Sequence, residues 1–242
     1  MVAEWLFKVP IAHRGLHGGG IPENSVKAFL NAAENGYPVE LDVQIAKNGE
    51  AVVFHDYTLD RMTGVSGRVC DFHSDFIKGL KLSGTDEQIP LLGDLFKIIS
   101  GKTPLLIEIK TESETDRRTE DRVLELLEDY KGWFALKSFN PWGIKHCKEK
   151  RPDFVCGLLS DGFEVCQVPE KKKELIKSLV FGKNHFLDFV SYNVGLMPDG
   201  FTSSLNPDIP LIGWTVRNAH ACERARTKVK NIIFEGFIPD IL

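Results

Sequence analysis

Short apolar runs alternate with amphipathic segments along almost the whole chain, and this rhythm most restricts the fold. Runs of strand type begin near residues 9, 39, 104, 133, 154, 186, 210 and 231. Between them, apolar residues recur at helical spacing, as in Val26, Phe29, Leu30 and Ala33, in Leu92, Leu95, Phe96 and Ile99, and in Val123, Leu126, Leu127 and Tyr130. Further helices are expected over Pro141–Lys150, Pro169–Phe181 and Ala219–Thr227, with a short helix or turn around Pro198–Leu205. Two strands joined through a helix run parallel. Eight such strands argue for an α/β fold closed into a TIM-type (β/α)8 barrel, rather than an open doubly wound sheet. No linker divides the chain, so residues 1–242 are expected to form one barrel domain.

One stretch departs from the alternation. In Val39–Asp56, Val39, Leu41 and Val43 fall on one face of a strand, and Glu40, Asp42 and Gln44 on the other. Asn48-Gly49 is the dipeptide that best tolerates a tight two-residue hairpin turn. Counting outward from it pairs Lys47 with Glu50, Gln44 with Val53, and Asp42 with His55. The expected hairpin therefore returns a histidine beside two carboxylates. Residues 56–88 then hold several glycines and charges with only short apolar clusters. They are too many for an ordinary loop and read as an insertion with some structure of its own.

Composition excludes several classes. Apolar residues make up 43% and charged residues 26%, as in ordinary globular chains. The net charge of −4 lacks the basic excess of a nucleic-acid binder. No apolar run approaches the roughly 20 residues that span a bilayer, so no stable membrane insertion is expected. The five cysteines form no CxxC pair, and MVAEWLFKVPIAHRG lacks the features of a secretory signal. Reduced thiols and a cytoplasmic location follow as the expectation. Nothing in the sequence fixes an oligomeric state.

The chemistry gathers where barrels keep it, at the C-terminal ends of strands. The first strand ends in His13-Arg14, the second carries Glu40 and Asp42, and the third carries Glu108 and Lys110, again on one face. Later strands end in Ser138-Phe139 and Trp214-Thr215. Three buried carboxylates that converge need a cation among them. An all-oxygen donor set favours Mg2+ or Ca2+ over zinc. Arg14 and Lys110 would supply donors for an anion beside it. Taken singly, a strand-end histidine or a Glu108–Lys110 pair is explained by packing. His13, Arg14, Glu40, Asp42, His55, Glu108 and Lys110 on one rim are not.

These residues carry a family resemblance. IAHRG (11–15), PENS (22–25), VELDVQIAKNGEAVVFHD (39–56), TLDRMTG (58–64), LLIEIK (105–110), SF (138–139) and WTV (214–216) come in order across nearly the whole chain. Together they resemble the glycerophosphodiester phosphodiesterases, relatives of the phosphatidylinositol-specific phospholipases C. The resemblance implies a TIM-type barrel with an insertion after the His-Asp motif. It implies an acid–base pair in His13 and His55, one divalent cation on Glu40, Asp42 and Glu108, and a phosphate held by Arg14 and Lys110. Glu23 and Asn24 would lie near the site, and Trp214 and Phe139 would line the pocket for glycerol or its carbon backbone. The departures are Ser25 for the usual threonine, Arg217 after WTV, and the ending IIFEGFIPD (232–240), where Glu235-Gly236 replace a Thr-Asp.

The implied reaction is metal-dependent hydrolysis of a small-molecule glycerophosphodiester to glycerol 3-phosphate and an alcohol, a step of lipid and glycerol metabolism. The nucleophile is either the glycerol 2-hydroxyl, through a cyclic phosphate, or water directly. Two other readings compete. One is a phospholipase of the same superfamily acting on lysophospholipid or phosphoinositide head groups, against which the lack of an interfacial helix weighs. The other is a non-catalytic phosphodiester-binding barrel, which would have lost a catalytic residue, and none of the matched positions is lost.

Overall fold

The structure is a computed structural model that describes residues 4–161, 169–180, 186–198, 202–203, 205 and 207–240. Its strands are β1 (Ile11–Ala12), β2 (Val39–Ile45), β3 (Ala51–Val53), β4 (Leu105–Ile109), β5 (Phe134–Ser138), β6 (Cys156–Ser160), β7 (Phe189–Asn193), β8 (Leu211–Val216) and β9 (Asn231–Phe234). They pair in the order β1-β9-β8-β7-β6-β5-β4-β2-β3, and the bond of β1 to β2 closes the ring. Every barrel pair is parallel, and β3 alone runs antiparallel, as an arm on β2. The expected eight-stranded TIM-type barrel with a hairpin after its second strand is what forms.

The pleat sorts the strand residues. On β4, Leu105, Ile107 and Ile109 join the large apolar cluster that packs strands against helices, while Leu106 turns into the barrel. Ile11, Ala135, Phe189, Ile212 and Ile233 cluster with Leu106 inside, together with Trp5 and Leu6. Those two aromatic and aliphatic side chains come from a short N-terminal helix, α1 (Trp5–Lys8), for which the sequence pattern offers no period to read. They plug the barrel end opposite the polar rim.

Around the barrel stand α2 (Val26–Glu34), α5 (Leu92–Ile99), α6 (Arg118–Glu128), α7 (Pro141–Lys150), α8 (Glu170–Val180) and α9 (Ala219–Arg226). Local chemistry fixes their starts. Ser25 accepts the Ala28 N–H at the start of α2, and Asn140 accepts those of Trp142 and Gly143, with Pro141 at the first helical position of α7. Gly15 has φ 82°, and a Cβ there would stand 2.8 Å from Ala28, so only glycine lets the β1 loop pass under α2. The turn expected around residues 198–205 lies largely outside the described residues.

The hairpin register needs a correction of one residue. The ladder pairs Val43 with Val53, Gln44 with Val52 and Ile45 with Ala51. Ala46 N–H donates to Glu50 O and Gly49 N–H to Ala46 O, so the loop is Lys47-Asn48-Gly49, with Gly49 alone at positive φ (83°). That is the three-residue form rather than the two-residue one. Asn48 stays out of the left-handed region because it is docked elsewhere: its amide bonds the Ser74 backbone and hydroxyl, at 3.0 Å each. Asp42 therefore lies opposite Phe54, whose N–H donates to Asp42 O, and His55 lies past the end of β3.

The insertion has its own packing. Residues 56–88 form α3 (Asp60–Thr63) and α4 (Ser74–Ile77) over an apolar cluster that includes Leu59, Met62, Val69, Ile77 and Leu82. Among the described residues no helix is long and apolar enough to cross a membrane.

Candidate active site

Parallel registry sets the depth of each inward residue. Asp42 is level with Glu108, and Glu108 with Lys137 of β5, one step above the Leu106–Ala135 layer. Glu40, Asp42 and Glu108 are buried, and each brings a carboxylate oxygen within 4.8 Å of the others. Lys137 Nζ lies 2.9 Å from Glu40 Oε1 and 3.2 Å from Glu108 Oε2. Lys110 Nζ lies 3.1 Å from Glu108 Oε1 and 3.6 Å from Asp42 Oδ1. Asn24 donates its amide to Asp42 Oδ2 at 2.9 Å, and the Arg14 N–H donates to Glu40 Oε2 at 3.0 Å.

These contacts divide the carboxylates electrostatically. Burial works against ionisation of Glu40, yet Lys137, His13 and Arg14 hold it down at about 2. Glu108 is likewise buried but lowered, by Lys137 and Lys110. Asp42 moves the other way: burial raises it, and the charges of Glu40 and Glu108 add to that. A positive charge delivered to the cluster would relieve Asp42. Glu40 Oε1 is buried, with Lys137 Nζ 2.9 Å away. Three buried carboxylates, one of them pushed up by the other two, and an all-oxygen donor set fit a hard divalent cation.

Both histidines face one cavity of about 120 Å3, whose walls also include Arg14, Asp42, Glu108, Lys137, Phe139 and Trp214. A larger groove of about 710 Å3 between α5 and α6 is lined by paired surface charges such as Glu50 and Arg122, with no histidine in its walls. In the small cavity each imidazole is tied at Nδ1. His13 Nδ1 is 2.9 Å from Glu235 Oε2, and His55 Nδ1 is 2.6 Å from Asp56 Oδ1. Nε2 of each ring is thereby left for the cavity. The hydrogen bond from His13 outweighs burial and holds Glu235 at about 2. Asp56 is partly desolvated, but Arg61 and His55 hold it at about 2 as well. Phe139 and Trp214 meet edge to face, 5.7 Å between ring centres, on the cavity's apolar side.

Glu23 and Asn24 do not line the cavity. Glu23 Oε1 accepts from Arg14 at 2.8 Å and from Arg61 at 2.6 Å, and Arg61 Nε reaches Asp56 at 2.5 Å. A continuous charged chain thus runs from His55 through Asp56, Arg61 and Glu23 to Arg14. Lys137, Asp56 and Arg61 are not among the candidate site residues read from the sequence, and Glu235 enters there only as a departure from the family's ending. Parity could have found two of them: Lys137 interrupts FALKS at an inward position, and Glu235 follows Ile233 by two.

A sequence model of the "Glycerophosphoryl diester phosphodiesterase family" matches residues 13–240. The chain is 31% identical over 226 residues to the glycerophosphodiester phosphodiesterase of Caldanaerobacter subterraneus subsp. tengcongensis, covering 88% of each. Its fold is similar to the glycerophosphodiester phosphodiesterase of Thermotoga maritima, at TM-score 0.72 and 25% identity, covering 93% of this chain and 94% of that one. It is also similar in fold to an Oleispira antarctica phosphodiesterase solved in complex with its product sn-glycerol-3-phosphate, at TM-score 0.73 and 21% identity, covering 93% and 92%. Barrel and relatives together define a phosphoric diester hydrolase. The chain belongs to the glycerophosphoryl diester phosphodiesterase family.

Proposed function

We propose that the chain hydrolyses glycerophosphodiesters to glycerol 3-phosphate and an alcohol, using His13 and His55 as the proton-transfer pair. Glu40, Asp42 and Glu108 would hold one divalent cation, Mg2+ or Ca2+. The observation that carries this reading is the shared cavity, onto which two imidazoles open, each fixed at Nδ1 by its own carboxylate.

When bound, the cation would supply positive charge to the phosphoryl oxygens as the transition state forms. Arg14 and Lys110 add charge of the same sign, Arg14 held in place by Glu23 and Lys110 by Glu108. One imidazole accepts the proton of the attacking hydroxyl at Nε2, and the other donates from Nε2 to the departing alkoxide. Glu235 and Asp56 keep the rings in the orientation and tautomer this exchange needs. The edge-to-face Phe139–Trp214 pair offers an apolar wall to the glycerol carbons.

Residues 1–242 would act as one barrel domain with the 56–88 insertion, in lipid and glycerol metabolism. A cytoplasmic setting is supported by the free thiols of Cys70, Cys147, Cys156 and Cys222.

The test is release of glycerol 3-phosphate from glycerophosphocholine, glycerophosphoethanolamine and glycerophosphoinositol, with and without chelator. At least one substrate should turn over, stop with chelator, and resume with Mg2+ or Ca2+. No release from any of them contradicts the activity, and release undiminished by chelator contradicts the cation. In oxygen-18 water, a cyclic phosphate trapped with a slow histidine variant would assign the nucleophile to the glycerol 2-hydroxyl, and its absence would favour direct attack by water.

A further inference from the structure

Lys137 is a charged inward residue of the carboxylate layer that the reaction above leaves without a task. It is 2% exposed, sits on β5 level with Glu108, and projects its ammonium between two glutamates from two other strands. All four glutamate oxygens already have a positive or N–H partner. Glu40 Oε1 faces Lys137 and Oε2 the Arg14 N–H, while Glu108 Oε1 faces Lys110 and Oε2 Lys137. A divalent cation binds carboxylate oxygens at about 2.0–2.6 Å, closer than the ammonium contacts of 2.9 and 3.2 Å. It must therefore share or take oxygens that Lys137 holds, with an ammonium as its neighbour.

Lys137 bridges Glu40 Oε1 and Glu108 Oε2, whereas Glu108 Oε1 and Glu40 Oε2 accept hydrogen bonds from Lys110 and from the Arg14 N–H. Removing the ammonium would leave two buried carboxylates short of a counter-charge, which is strongly unfavourable in an apolar barrel. That deficit is what a metal ion could fill.

We propose that Lys137 is a built-in counter-cation that competes with the divalent metal for Glu40 and Glu108, weakening metal affinity while keeping the metal-free barrel stable. The proposal rests on the reading that Glu40, Asp42 and Glu108 hold the metal.

Calorimetric titration of Mg2+ and Ca2+ into the wild type, Lys137→Met and Lys137→Gln tests it, with thermal unfolding measured with and without each ion. Both variants should bind at least about tenfold more tightly than wild type. Their unfolding temperature should rise more on metal addition than that of the wild type. Equal affinity in wild type and variants, with equal thermal response, overturns the competition and leaves the metal site standing. No binding to any of the three proteins overturns the metal site and the proposal together. Should a variant fail to fold without metal, recovery on adding Ca2+ or Mg2+ supports the proposal, and failure to recover overturns it.

Discussion

Leu106 and Glu108 are neighbours on one face of one strand, yet they belong to different halves of the barrel interior. The lower half is apolar: Ile11, Leu106, Ala135, Phe189, Ile212 and Ile233 close on Trp5 and Leu6. Two residues further along the same strands, or just past their ends, stand His13, Glu108, Lys137, Ser191, Trp214 and Glu235. The backbone is the same in both halves, so the difference lies in what the side chains need from one another. Below, any well-fitting hydrocarbon lowers the free energy by leaving water. Above, and at Glu40, which is level with Leu106, each charge must be matched by name, Glu40 to Lys137, Glu108 to Lys110 and His13 to Glu235. The lower half holds the ring closed so that the upper half can keep costly groups in place.

Substitutions should therefore separate stability from turnover along a single strand. The largest stability effect is expected below. Leu106 is fully buried, and Leu106→Ala should cost about 2–5 kcal/mol in chemical denaturation. Its kcat per folded molecule should stay that of the wild type, and a selective loss of kcat would break the division.

A smaller, pH-dependent effect is expected at Glu235. Folding lowers its pKa from an ordinary 4.5 to about 2. Its stabilisation is thus complete above the unfolded value and is lost as pH falls through the folded one. With solvent screening discounted, Glu235→Gln should cost on the order of 1 kcal/mol at neutral pH. The gap to wild type should close in acid near the folded pKa, and a gap independent of pH would sever the His13–Glu235 pairing from stability. The smallest effect belongs to the outer surface. Arg118 and Asp116 pair at 2.7 Å in open solvent, and Arg118→Ala should change stability by less than ~1 kcal/mol.

The barrel strands and the helices around them are the legible part of the sequence, and the Trp5–Leu6 plug is not. Periods of two and near 3.6 announce strands and helices, and eight parallel runs leave few ways to close. The metal-type carboxylates and both histidines were legible too, because polar residues inside an apolar strand stand out. Pairing was harder to read. The Asn48-Gly49 turn took the longer loop because Ser74, 26 residues away, captures Asn48, and that contact has no local trace. Glu235 lies 222 residues from His13, and Lys137 finds Glu40 across two strands. Such partners depend on barrel registry, which emerges only after the ring has closed.

The central claim is that the upper half performs the chemistry through its two histidines, and one comparison addresses it directly. Glycerol 3-phosphate release should be measured for wild type, His13→Ala and His55→Ala at matched folded fraction. Each variant should lose at least ~10²-fold in kcat per folded molecule. Near-wild-type turnover in either variant would contradict the assignment.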